Sequence, residues 1–248
     1  MPRPLSVILE WLTTTGLLIA AVLFGVGKLA HDFNIPSQKF WTDSVEWSTP
    51  LLFWLGAYAL VIGPIKTYLL TRENRRLKQE NRIEETCHQL VLTVRKFAPT
   101  VPMESLSAHA WRVKGDRLVR LPGFRAEQRP DSGVIWSKER GALGRCWREN
   151  LQIEADLTNL QAAALRGRSE FEAIGAEGRF NLTWDEYRKT DRYWAIFVTP
   201  LRDKNADFIG CVSIDCTKDG VALKFLGACK EGLVNGVIRV IEDAVRES

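Results

Sequence analysis

Residues 193–216 read YWAIFVTPLRDKNADFIGCVSIDC. Two apolar runs, 193–201 and 207–215, flank a polar bend at 202–206. Each run has strand length, is rich in Val, Ile and Phe, and is apolar at odd and even positions alike. That pattern predicts two antiparallel strands joined as a hairpin, in a sheet covered on both faces. A sheet buried on both sides needs helices or a second layer above and below it.

The flanking sequence supplies those covers. Upstream, Ile83, Cys87, Leu90, Val94 and Phe97 follow the three-four spacing of an amphipathic helix, and Pro99 and Pro102 end it. Downstream, Leu226, Cys229, Leu233, Val237, Val240, Ile241 and Ala244 place one apolar face along a single long helix over 220–246. The two helices are each other's natural partners. Between them lie shorter elements. Runs 108–113 and 117–121 flank Lys114-Gly115-Asp116, a hairpin turn. Residues 134–137 and 151–157 read as further short strands, GALGRCWREN (141–150) as a short helix, and 158–190 as helix, loop and helix.

This order resembles the GAF domain family over roughly 83–246. The resemblance rests on GVIWSKERGALGRCWRENLQIEADL and on the 193–216 hairpin, above all Thr199-Pro200-Leu201 and Ile209-Gly210. The related PAS fold is the alternative. The fold class expected is α+β: a two-helix transmembrane hairpin, then a GAF-like antiparallel sheet with helices on both faces. The resemblance implies a small-ligand pocket between sheet and helical cover, near 136–194, and does not choose among cyclic nucleotides, bilins, haem and small metabolites. The Asn-Lys-Phe-Asp-Glu signature of phosphodiesterase GAF domains is absent as a run, so no cofactor or specific ligand is assigned.

Within 136–194 aromatic and arginine side chains interleave. Aromatic faces stack on planar rings, and guanidinium forks grip phosphate or carboxylate. The mixture suits a nucleotide-like or other anionic aromatic ligand. The candidate ligand-binding residues are Trp136, Arg145, Trp184, Tyr187 and Arg192, joined by Ser213 on the second long strand. The ordinary alternative for each is a core aromatic or a solvated arginine. Ser213 and Asp215 share one strand face and read either as polar points in a pocket or as strand-end caps, with the cap favoured for Asp215.

The first third of the chain differs in composition. Residues 1–71 hold four basic and four acidic residues, whereas 72–248 hold 30 and 26. Stretches 5–30 and 50–70 are long and apolar enough to read as two transmembrane helices, with Gly63-Pro64 as a kink. Residues 72–82 carry five Lys/Arg against one in 31–49, so they read as a basic juxtamembrane connector on the cytosolic side. The domain division expected is thus 1–71, 72–82 and a cytosolic sensor over 83–248. The localisation expected is the inner membrane, with both termini cytosolic.

Catalytic signatures are missing: no P-loop, no GxGxxG and no nucleophile elbow occurs. The five cysteines include no CxxC pair, and the three histidines form no zinc spacing. The chain therefore reads as a non-enzymatic sensor or effector, in bacterial signalling or antiviral defence. A GAF-type methionine sulfoxide reductase and a dimerising scaffold are the alternatives. The partners expected are the lipid bilayer, a small cytosolic ligand such as a nucleotide, and a second copy in a homodimer or higher oligomer. A net charge of +4 gives no case for nucleic acid.

Overall fold

The structure is a computed structural model that describes residues 22, 25, 26, 28, 29, 32, 33, 38–126 and 132–247, with the side chains of 38 and 40–63 outside the described set. Two compact units divide the chain, Met1–Arg75 and Arg76–Ser248. Helix α1, Gln38–Phe97, belongs to both, and the Pro64 expected to kink it does not end it.

The membrane reading is corrected here. Among the described residues no helix is long and apolar enough to cross a membrane, so neither the transmembrane hairpin nor the inner-membrane localisation stands. The expected span 5–30 lies almost entirely outside the described residues, as do the side chains of 50–63 in the second span.

In the second unit six strands form one sheet in the order β3-β2-β1-β6-β5-β4, every neighbouring pair antiparallel. They are β1 (Leu106–Lys114), β2 (Arg117–Arg125), β3 (Trp136–Ser137), β4 (Ile153–Asp156), β5 (Ala195–Arg202) and β6 (Phe208–Cys216). The hairpin that opened the sequence reading is β5–β6, and β1 pairs on the other side of β6. The class is mixed α+β, with helices on both sheet faces.

One face is dry and aliphatic. Ala108, Ala110, Val212, Ile214 and Phe197 point into a core shared with Ile83, Leu90 and Val94 of α1. The C-terminal helices α6 (Ala222–Cys229) and α7 (Gly232–Arg246) complete that core through Phe225, Val234 and Ile241. Gln79 of α1 donates to the Ala244 carbonyl at 2.8 Å. The single long C-terminal helix read from the sequence is two helices. Glu231 has extended backbone (φ −62°, ψ 142°) and breaks them apart, while both keep the same apolar face on the sheet.

Gly210 of β6 lies where β1 and β6 approach most tightly. A Cβ there would overlap the Trp111 carbonyl oxygen and sit 3.2 Å from Arg112 Cα, both backbone atoms that cannot swing aside. Gly210→Ala is therefore expected to destabilise the domain by about 1–3 kcal/mol, the usual cost of overpacking. Urea unfolding measures this; a midpoint equal to wild type would refute the close-approach account.

Candidate functional site

The other sheet face carries the chemistry. Strand side chains alternate between faces, so the partners of the aliphatic residues point together the other way. Strand register then aligns them in rows. Ser107 lies between Arg125 and Asp215; His109 lies between Gly123 and Ser213; Trp111 lies between Arg120 and Cys211. A polar stripe thus crosses three strands on a face that helices α2 (Gly141–Glu149), α3 (Thr158–Arg166), α4 (Arg168–Ala173) and α5 (Trp184–Arg188) cover.

Between stripe and cover lies a cavity of about 390 Å³. His109, Ser213, Asp215 and Ile196 make its floor, Trp111, Trp136, Phe180 and Tyr187 its apolar walls, and Arg117, Arg120 and Arg125 line the β2 side. The size falls within the ordinary range of small-molecule sites, and a few convergent polar groups in an apolar shell are their usual composition.

His109 is 3% exposed. Its Nε2 accepts from Arg125 Nε at 3.0 Å, so the neutral ring carries its proton on Nδ1. Nδ1 has no hydrogen-bond partner among the described residues. Burial, reinforced by the positive fields of Arg125, Arg120 and Arg192, pushes the imidazole pKa down to about 3. Gly123 makes room for this ring: a Cβ there would stand 2.6 Å from Nδ1.

Asp215 is 6% exposed. Burial raises its pKa to about 7, against the opposing pull of Arg125, a Ser107 hydrogen bond and Arg192. Ser107 Oγ donates to Oδ2 at 3.4 Å, a long bond. Trp111 Nε1 donates to Ser213 Oγ at 3.1 Å and fixes the indole against the floor.

One side chain ties the cover together. Gln161 of α3 donates from Nε2 to the carbonyls of Asp191 (2.5 Å) and Tyr193 (2.7 Å), while its Oε1 accepts from the Tyr187 hydroxyl at 2.7 Å. Helix α5 is held at its start by a capping box between Thr183 and Glu186, which gives Glu186 a local structural role. Glu186 also pairs with Arg140 at the entry to α2.

The sequence candidates distribute unevenly. Trp136, Tyr187 and Ser213 meet in the cavity. Trp184 stands behind Tyr187, packed on Phe171 (5.4 Å between ring centroids) with Arg188 over its ring, and is not among the cavity-lining residues. Arg145 bonds Glu149 at 2.9 Å and lines a separate pocket with Glu139 and Arg148. Arg192 lies over the Tyr193 ring at 5.2 Å and lines a crevice with Ser107 and Arg125, which places its charge near the cavity floor. His109, Arg125 and Gln161 carry the polar geometry without having been singled out for it. Asp215, read as a strand-end cap, is a floor residue.

All five cysteines are buried and none lines the cavity. Burial pushes Cys87 up to about 12 and raises Cys211, Cys216 and Cys229, which suppresses the thiolate form. Among the described residues no cluster of His, Cys, Asp or Glu is placed to hold a metal ion.

No protein-family model matches the sequence, and no curated protein does. Solved structures do. A type II free methionine-R-sulfoxide reductase from Thermoplasma acidophilum aligns with 64% of this chain and 92% of its own at 11% identity and TM-score 0.38. A putative GAF sensor protein from Burkholderia vietnamiensis aligns with 65% and 97% at 14% identity and TM-score 0.35. A free methionine-R-sulfoxide reductase from Neisseria meningitidis in complex with its substrate aligns with 66% and 89% at 14% identity and TM-score 0.36. These neighbours include sensors and enzymes, and at such scores they carry no argument about the site of this chain.

Proposed function

We propose that Arg76–Ser248 is a GAF-like sensor domain whose cavity binds a small anionic ligand with a planar apolar portion, such as a nucleotide, and does so without catalysis. The observation that carries the reading is the polar stripe itself. A sheet face of Arg125, His109, Ser213 and Asp215 is closed beneath a helical cover around a cavity of ligand size. The Arg125–His109 and Ser107–Asp215 hydrogen bonds hold the polar groups of this floor in fixed positions around the cavity. Trp111 and Trp136, 6.5 Å apart and edge to face, offer aromatic walls to a planar ring. Three arginines on β2 favour negative charge. The sheet order and the sequence resemblance over 83–246 support the family assignment. The inert, buried thiols speak against the reductase reading.

Native mass spectrometry of the purified full chain tests this. The expected result is a co-purifying anionic, ring-containing adduct that Trp136→Ala weakens by about 1–3 kcal/mol, the cost of a lost aromatic anchor. A neutral aliphatic adduct, or one held equally by the Trp136 variant, would refute the proposal.

A further inference from the structure

Charge is not spread evenly along the cavity floor. Arg120 belongs to the Trp111 row, while Arg125 and Asp215 belong to the Ser107 row. Four residues of β1 separate those rows, roughly 13 Å at about 3.3 Å per residue. The cavity thus has two ends lined by arginine, and among the described residues that line it the carboxyl group, Asp215, belongs to the Ser107 row.

That end is specified by groups from every element around it. From β2 comes Arg125, and from β1 Ser107 and His109. From the segment entering β5 come Arg192 and Tyr193, and from β5 the apolar Ile196. From α3 and the residue before it come Leu157, Leu160 and Gln161, the last already bonded to two carbonyls and to Tyr187. From α5 comes Tyr187, whose hydroxyl is that partner, and from β6 itself Ser213, taken by Trp111. Among the groups named at this end, His109 Nδ1 is a buried donor without a hydrogen-bond partner among the described residues. It stands next to the Arg125 guanidinium, one row from Asp215.

Resting on the anionic-ligand reading above, we propose that the anionic group of the ligand seats at the Arg125–His109 end of the cavity, and that its binding carries one proton from solvent onto the Asp215 carboxylate. Two negative groups in one buried pocket repel, and the weaker acid relieves the repulsion by protonation. The step is a carboxylate plus a proton giving a carboxylic acid, with nothing else exchanged. Burial already holds the Asp215 pKa at about 7, so the proton is taken up within the neutral range. An anion seated instead at Arg117 and Arg120, in rows roughly 13 Å or more along the strand, would act on Asp215 more weakly, and its binding would take up correspondingly less than one proton.

The probe is 8-anilinonaphthalene-1-sulfonate, an aromatic anion whose sulfonate does not titrate between pH 5.5 and 8.5. Calorimetry on the full chain, in buffers of different ionisation enthalpy, reads proton uptake directly. Wild type is expected to bind one probe per chain and to take up close to one proton at pH 8, falling toward none at pH 5.5. Its Kd should weaken up to tenfold per pH unit above about 7. Asp215→Asn should bind without uptake and with a pH-independent Kd. An infrared band of protonated carboxylic acid, appearing on probe addition to wild type at pH 8, gives the same readout without any variant. Probe binding with no proton uptake and no such band overturns the inference and leaves the anionic-ligand reading intact. Unchanged uptake in Asp215→Asn overturns it as well. Failure of wild type to bind the probe at any pH overturns both.

Discussion

Asp215→Asn is expected to uncover a rise in stability of about 5 kcal/mol between pH 3 and pH 6.5 that wild type conceals. The rise belongs to His109. Its folded pKa is about 3 against an ordinary 6.5, so the unfolded chain binds a proton in this window and the folded chain does not. The contribution is complete above pH 6.5 and is lost as pH falls toward 3. Asp215 works in the opposite sense. Its folded carboxyl keeps a proton up to about pH 7, whereas the unfolded one releases it near 3.8. That contribution is complete below pH 3.8 and is lost as pH rises toward 7, a fall of about 4 kcal/mol. In wild type the two slopes nearly cancel between pH 4 and 6.5. His109→Asn should therefore show the complementary fall toward pH 7. Urea midpoints taken across this range, with those of the double variant Asp215→Asn/His109→Asn subtracted from each single variant, remove the titrations common to the chains and leave His109 alone in one curve and Asp215 alone in the other. A flat difference curve for both variants would mean that neither group is perturbed and that the floor is open to water.

The sequence makes part of this architecture legible and hides the rest for a physical reason. The β5–β6 hairpin is visible because both runs are apolar at successive positions and the bend between them is polar. The buried face of α1 is visible because Ile83, Cys87, Leu90 and Val94 repeat at helical spacing. The break at Glu231 is hidden because α6 and α7 keep one apolar face on one core, so hydrophobic periodicity runs through the break. In the site, Trp136 and Tyr187 are found by residue type, since large aromatics near an expected pocket stand out. Trp184 satisfies the same criterion and stands behind Tyr187 instead, while Arg192, singled out as a guanidinium, lies over the Tyr193 ring in an adjoining crevice. The polar stripe has no local signal. His109, Arg125 and Asp215 come from three strands, and only the register of β1 with β2 and with β6 aligns them. The alternations Ser107-x-His109 and Ser213-x-Asp215 are the fragments of it that single strands display.

Gln161→Leu is expected to cost about 3–5 kcal/mol, because it strands three polar groups at once, one buried and two half-buried. The Asp191 and Tyr193 carbonyls lose their amide donor, and the Tyr187 hydroxyl loses its acceptor. Each orphaned buried group costs about 1–3 kcal/mol, while Leu recovers some apolar burial in a site that is 5% exposed. The loss should fall unevenly on the domain. Gln161 joins α3, α5 and the entry to β5, all on the cavity side, whereas the aliphatic core around α1, α6 and α7 does not touch it. Hydrogen exchange should therefore accelerate most in α3–α5 and least in the central β1–β6 pair. The same cover forms one wall of the cavity through Leu160, Tyr187 and Thr190, so probe affinity should fall together with amide protection. Uniform loss of protection across both faces would show instead that cover and core unfold as one unit. In that case the cavity could not open without the whole domain.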